Sequence, residues 1–293
     1  MRHLLKPFTL VAGLAIMVPQ PGTAVTIGPD AFGYTATNDV ASPFENISGT
    51  GTRVLADVDD ATVSVPIGFA FRFYGVTYPS LFVSSNGLIT FASANASGNN
   101  QSLATDAVVL PQPAIASFWD DLTVDRPGTD GVYVATLGSP GSRRLVLQWN
   151  DVSGGGGTSP SFATFQAVLL EDSHDILFRY LDVVTGDGHA NGGSATIGIR
   201  DAGGQSNGRF LEWSFGGGPG VGASRPVTDG ETILFHASPV PQPPAWLLVL
   251  APLAGGLARR RRRTARSRCR QPCETPLGCR AGLRWIVEER GTE

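Results

Sequence analysis

The sequence predicts an all-β protein built as an antiparallel β-sandwich, and three observations carry that expectation. Short segments rich in aromatic and β-branched residues recur from residue 62 to residue 236, a composition that suits a pleated, half-buried surface. Connectors rich in Gly, Ser, Pro and Asn separate them, as in an antiparallel meander. The densest stretch, residues 71–91, holds three such segments divided by Gly75 and by Asn86-Gly87. An Asn-Gly pair between apolar segments signals a two-residue type I′ hairpin, because both central positions need positive φ. Residues 81–85 and 88–91 are therefore expected to pair, with apolar groups on both faces, inside a sandwich rather than on a lone sheet.

Taken in order, residues 1–24 have the tripartite form of a secretory signal helix: Arg2, His3 and Lys6, an apolar run over 8–18, then Gly22-Thr23-Ala24, with cleavage expected after Ala24. Residues 25–49 read as a lead-in dominated by loops, with one short strand near 31–36. Asn46-Ile47-Ser48, Asn95-Ala96-Ser97 and Asn100-Gln101-Ser102 fit the N-glycosylation acceptor. Asp57-Val58-Asp59-Asp60 precedes a strand over 62–67. Its carboxylates could hold Ca²⁺, although the ordered EF-hand loop is absent and a solvated loop is the simpler reading.

A long polar loop over 92–106 leads to a strand at 115–119, ended by Asp120-Asp121. That pair could bind a cation or a polyol, but aspartates at a strand end more often accept backbone N–H groups. Asp57, Asp59, Asp60, Asp120 and Asp121 are thus the candidate calcium ligands, and no other cofactor is expected. Strands follow at 131–137, 143–149, 162–171 and 176–183, with Trp149 expected in the core. Residues 154–157 form a glycine run with no lysine, a hairpin connector rather than a phosphate loop. In the loop 185–193, Asp187, His189 and Asn191 could together hold a metal, but simple exposure is favoured. Strands at 195–200, 209–215 and 231–236 complete the body.

Charge divides the chain. Residues 25–238 hold nine basic and 21 acidic residues, a formal charge of −12, while the whole chain carries −3. A body this acidic lacks the phosphate-neutralising charge that nucleic acid or anionic lipid would need. Cys269, Cys273 and Cys279 all lie in the tail, so the body contains no disulfide, and their spacing matches no zinc pattern. The body also lacks lysine and holds only His174, His189 and His236. There is no nucleophile elbow and no H-E-x-x-H helix. A carboxylate pair for glycoside hydrolysis would leave no local signature, and a non-enzymatic protein is expected.

Past Ser238 the composition changes. Pro239-Val240-Pro241-Gln242-Pro243-Pro244 leads into 14 uncharged residues, 245–258, then Arg259, Arg260, Arg261, Arg262 and Arg263. As a helix the apolar run would span about 21 Å, short of a hydrocarbon core about 30 Å thick. With the body exported, the arginines would stay cytoplasmic. Residues 264–293 read as a basic, disordered extension.

Two resemblances follow. Residues 68–75, 81–91 and 115–122, continued by 145–150, 165–170, 175–180 and 195–199, resemble the NIDO-type β-domain of nidogen-like and mucin-like extracellular proteins and of secreted bacterial proteins, as one module over about 30–237. The tail resembles the PEP-CTERM sorting signal of Gram-negative bacteria, with Val240, Pro241, Gln242 and Pro243 at the V-P-E-P motif, Gln242 standing where Glu is usual. The 30-residue extension after Arg263 is a second departure. The resemblance implies an exosortase-type processing enzyme as a partner, passage through the inner membrane, and delivery to the cell surface or to an exopolysaccharide matrix. The domains expected are 1–24 signal, 25–238 β-sandwich, 239–263 sorting signal or membrane segment, and 264–293 tail. A structural or adhesive partner of matrix polysaccharide or protein is the leading reading. A lectin-like module, which would place exposed Trp or Tyr beside Asp120 or Asp121, is the alternative, and a glycoside hydrolase with a carboxylate-lined pocket comes third.

Overall fold

The computed structural model describes residues 24–105, 110–126, 128–154, 162–184, 186, 188–216 and 224–238. They fall within the unit Met1–Pro241, and the second unit, Gln242–Glu293, lies outside them. The expected signal helix up to residue 23, the apolar tail helix, Val240, Pro241, Gln242, Pro243 and Arg259 to Arg263 are therefore outside the described residues, as is most of the 154–157 connector.

Fifteen strands and no α-helix occur among the described residues. They are β1 (Thr26–Ile27), β2 (Tyr34–Thr37), β3 (Thr52–Leu55), β4 (Thr62–Phe73), β5 (Val76–Ser84), β6 (Leu88–Thr90), β7 (Ala114–Trp119), β8 (Leu122–Thr123), β9 (Gly131–Leu137), β10 (Arg144–Gly154), β11 (Phe162–Leu170), β12 (Ile176–Asp182), β13 (Thr196–Arg200), β14 (Phe210–Phe215) and β15 (Thr232–Ala237). One sheet runs β1-β2-β15-β12-β11-β10-β9-β3, with β8 also on β10, and the other runs β14-β13-β7-β6-β5-β4. Strands β9 to β12 form the expected meander, and the pairing is antiparallel. The lead-in differs from expectation, since it supplies β1, β2 and β3 to the larger sheet.

The hairpin turns also differ. Phe73 pairs Val76 across Tyr74-Gly75, whose φ values of 47° and 83° are both positive. The type I′ geometry therefore sits there and not at Asn86-Gly87. At the expected turn Phe82 pairs Thr90 and Val83 pairs Ile89, which leaves Ser85-Asn86-Gly87 as a three-residue loop. Only Gly87 is left-handed there, with φ 70°. That is the alternative hairpin in which the last loop residue takes the left-handed position. A Cβ at Gly87 would lie 2.1 Å from the Phe118 carbonyl oxygen, so the loop needs glycine for contact as well as for φ. In β4 the alternation of Val65, Ile67, Phe69, Phe71 and Phe73 into the core survives a bulge between Pro66 and Phe71. Pro66 is tolerated because β4 is an edge strand.

The inner faces of the sheets meet in one core. Trp149 stacks on Phe165 at 5.0 Å between ring centroids, and Phe165 stacks on Phe118 of the facing sheet at 5.1 Å. Trp149 Nε1 donates to the Ser84 carbonyl (2.8 Å) and Tyr180 Oη donates to the Ser117 carbonyl (2.9 Å), so the polar tips of two buried aromatics bond the opposite sheet. These contacts make a β-sandwich.

Both outer faces carry a covering segment. Residues 93–105 and 110–113 lie over the six-stranded sheet, where Leu103 and Leu110 pack with Leu88, Ala114, Ala116 and Trp119. Residues 42–47 form a strap across the larger sheet, with Ile47 packed on Tyr133, Val146, Val168 and Leu177. Beneath the strap runs a row of polar side chains in direct cross-strand register: Tyr133, Gln148, Gln166, Arg179 and Thr232. The strap answers them in turn. Ile47 N donates to Gln148 Oε1 (2.8 Å), Gln166 Nε2 to the Glu45 carbonyl (2.6 Å), Arg179 Nη2 to Ser42 Oγ and Thr232 Oγ1 to the Ser42 carbonyl. Those bonds meet part of what a buried polar row requires, while Arg179 Nε and Nη1 and Gln166 Oε1 are left without a partner.

Candidate functional site: the acidic loop end

A cluster of ionisable and polar side chains gathers at one end of the sandwich, around Asn86. Gly87 takes the left-handed position of the 85–87 loop, so Asn86 does not, and its completely buried side chain bonds three segments. Its Oδ1 accepts from Leu122 N (2.7 Å), and its Nδ2 donates to Asp60 Oδ1 (2.7 Å) and to the Ala96 carbonyl (2.6 Å). An isolated bridge, with Val58 N donating to Val124 O (2.6 Å) and Val124 N to Val58 O (2.9 Å), holds the 57–60 loop against the chain after β7. Thr123 Oγ1 then reaches Asp59 Oδ1 at 3.3 Å.

This geometry brings together three of the five candidate ligands. Asp59, Asp60 and Asp121 are exposed and each can place one carboxylate oxygen within 4.8 Å of the others. Two loops more than 60 positions apart thus share one acidic corner, which sequence separation had hidden. Gly98 packs against it, and a Cβ there would fall 2.6 Å from Asp121 Oδ1. The Asp121 carboxyl is pushed above the usual range by desolvation and then by Asp59, Asp60 and Asp120, with His189 opposing. The three oxygens would suit a hard cation, although calcium takes six to eight.

Asp57 is not part of this group, and Asp120 turns inward. Asp120 is 4% exposed, and its Oδ1 accepts from Asp121 N (3.0 Å), the backbone-accepting role expected of the pair. Its Oδ2 takes the Ser194 hydroxyl in a short hydrogen bond and faces His189 Nδ1 at 3.0 Å. Ser194 Oγ also lies 2.8 Å from the same Nδ1. The residue types are those of a hydrolytic triad, but the arrangement is not one. A triad needs the serine and the carboxylate on opposite ring nitrogens, and Ser194 is 1% exposed. The cluster instead fastens the 189–194 segment to the end of β7. His189 is therefore held in place, where exposure had been favoured, and Asn191 donates Nδ2 to the Val227 carbonyl rather than facing a metal.

The condition set for a lectin-like site is not met among the described residues. Trp119, Trp149 and Trp213 are at most 1% exposed, and Trp119 Nε1 donates to the Ser97 carbonyl. A groove of about 450 Å³ runs between the edge strands β3 and β4, lined by Thr50, Thr52, Val54, Ser64, Pro66 and Val134 among others, with no carboxylate in its wall. Of the three acceptor sequons, Asn100 already spends its amide on the Ser194 carbonyl (2.6 Å) and Thr196 Oγ1 (3.0 Å).

Comparison with known proteins fits this architecture. The family model described as NIDO related matches residues 33–214, from just before β2 to within β14. The chain belongs to the NIDO-related family. The match covers the three blocks that carried the resemblance, and the sheet extends beyond it, because β15 inserts between β2 and β12. No solved structure matches the chain. The NIDO-related domain is of an extracellular type. No helix among the described residues is long and apolar enough to cross a membrane.

Proposed function

We propose that this NIDO-related sandwich is the exported, non-enzymatic body of a bacterial cell-surface or exopolysaccharide-matrix protein, with a structural or adhesive role. Its C-terminal segment serves as the sorting signal for an exosortase-type enzyme. The observation that carries the non-enzymatic part is the Asp120–His189–Ser194 cluster. Asp120 and Ser194 are buried and both meet the same ring nitrogen of the half-buried His189, which is not the geometry of a working triad. The extracellular type of the domain supports export. The order of Val240-Pro241-Gln242-Pro243, an uncharged run and Arg259 to Arg263 supports sorting.

Intact mass of the chain recovered from its host, with surface, matrix and membrane fractions separated, tests the proposal. Loss of residues 1–24 and of everything beyond about Val240 in the surface fractions is the expected result. Retention of the apolar run and the arginines in the membrane fraction would replace sorting and release by a permanently anchored ectodomain.

A further inference from the structure

The polar row under the strap contains one cation whose bonding is incomplete. Arg179 is 7% exposed, and its Nη2 donates to Ser42 Oγ (2.8 Å), yet Nε and Nη1 are buried with no hydrogen-bond partner. Its cross-strand neighbour Gln166 is completely buried. Gln166 Nε2 serves the Glu45 carbonyl and Gln148 Oε1 (2.9 Å), which sets the orientation of the amide, and Oε1 is left without a partner. Buried polar groups are rarely left so, and a buried charge least of all.

The charged groups near Arg179 do not complete it. Glu45 attracts it, but that carboxylate is held by Arg144, with contacts of 2.7–2.9 Å. Burial holds the Arg179 guanidinium below the ordinary arginine range, Glu45 opposes that shift, and Arg144 reinforces it. The unmet groups are two cationic donors and one neutral acceptor. A chloride or sulfate ion would answer the donors but not Gln166 Oε1. An oxyanion that keeps an O–H would answer both.

We infer that Arg179 and Gln166, roofed by the strap residues Ser42 and Glu45, form a site for a small hydroxylated oxyanion of the hydrogenphosphate or hydrogencarbonate type. The guanidinium supplies charge and donors, Gln166 Oε1 accepts the ligand's O–H, and the strap must lift and reclose for the ion to enter. The site is independent of the acidic loop end and of the matrix role.

The test is thermal unfolding of the chain as purified from its host, titrated with sodium phosphate against sodium sulfate at matched ionic strength and pH. The two ions are similar in size and charge and differ in the O–H. Phosphate about fivefold above its Kd should raise Tm by roughly 2–4 °C beyond sulfate. Arg179→Met, which exchanges the buried cation for an apolar side chain of similar length, should fold and lose that excess. An equal excess in Arg179→Met, or phosphate acting no better than sulfate on the unaltered chain, would overturn the site and leave a row completed by water alone. Should Arg179→Met fail to fold, Glu45→Gln carries the test. Removing the competing carboxylate should tighten phosphate binding several-fold, and an unchanged Kd would overturn the inference.

Discussion

Asn86 is the residue on which the acidic end depends, and nothing in its local sequence announces that. An Asn before Gly in a run of apolar segments signals a turn, and the turn is there, but one loop residue longer than the signal implies. The extra residue lets the side chain point inward and serve Leu122, Asp60 and Ala96. Asn86→Ala should therefore cost about 2–3 kcal/mol in chemical denaturation, since it leaves buried partners unmet. Asn86→Asp should cost more, because it sets a carboxylate against Asp60. Asp121 works in the opposite sense. Its carboxyl is raised in the folded state, so its contribution is favourable below the ordinary value of 3.8 and is lost as pH rises through the folded value. Asp121→Asn should raise Tm at pH 7 in chelator, the gain should fade below about pH 4, and millimolar calcium should narrow it by neutralising the same corner.

At the scale of elements, the strap is the piece that sequence reading passed over. Residues 42–47 have no periodicity and sit among Pro, Asn and Ser, which reads as loop. In the fold they cover a sheet face whose outward residues are polar in one row and apolar in the next. The clue lay elsewhere, in β10 to β12, where Val146, Val168 and Leu177 point away from the core side and require a cover. Ile47→Ala should destabilise by about 2–4 kcal/mol, measured by urea unfolding, because it empties a buried site on that face. A value under about 0.5 kcal/mol would mean that the strap contributes little to the fold.

For the molecule as a whole, one pH-dependent contribution to stability is expected at the end opposite the acidic corner. Glu171 accepts from Arg143 Nε (2.9 Å) and Nη2 (2.6 Å), and Arg143 Nη1 donates to the Gly68 carbonyl, tying the β10–β11 side to the edge of the other sheet. The arginine, together with backbone donors at Arg143 and Gly141, holds the Glu171 carboxyl at about 2. A depressed carboxyl contributes stability above its unfolded value of 4.5 and loses it as pH falls toward the folded value. The gap in Tm between the natural chain and Glu171→Gln should therefore be present at pH 7 and close between about pH 5 and 2. A gap that does not vary with pH would assign the effect to packing.

The sequence by itself determined the all-β class, most of the strands from β4 to β15, the burial of Trp149 and the acidic, cystine-free body. Each follows from residue type and period-2 alternation, which are local properties. Only the tertiary structure decided which turn is type I′, that Asp121 joins Asp59 and Asp60 while Asp120 turns inward, and that the lead-in covers a sheet face. Those outcomes depend on which strands become neighbours and on what each buried polar group finds within hydrogen-bond reach, and neither is a property of adjacent residues.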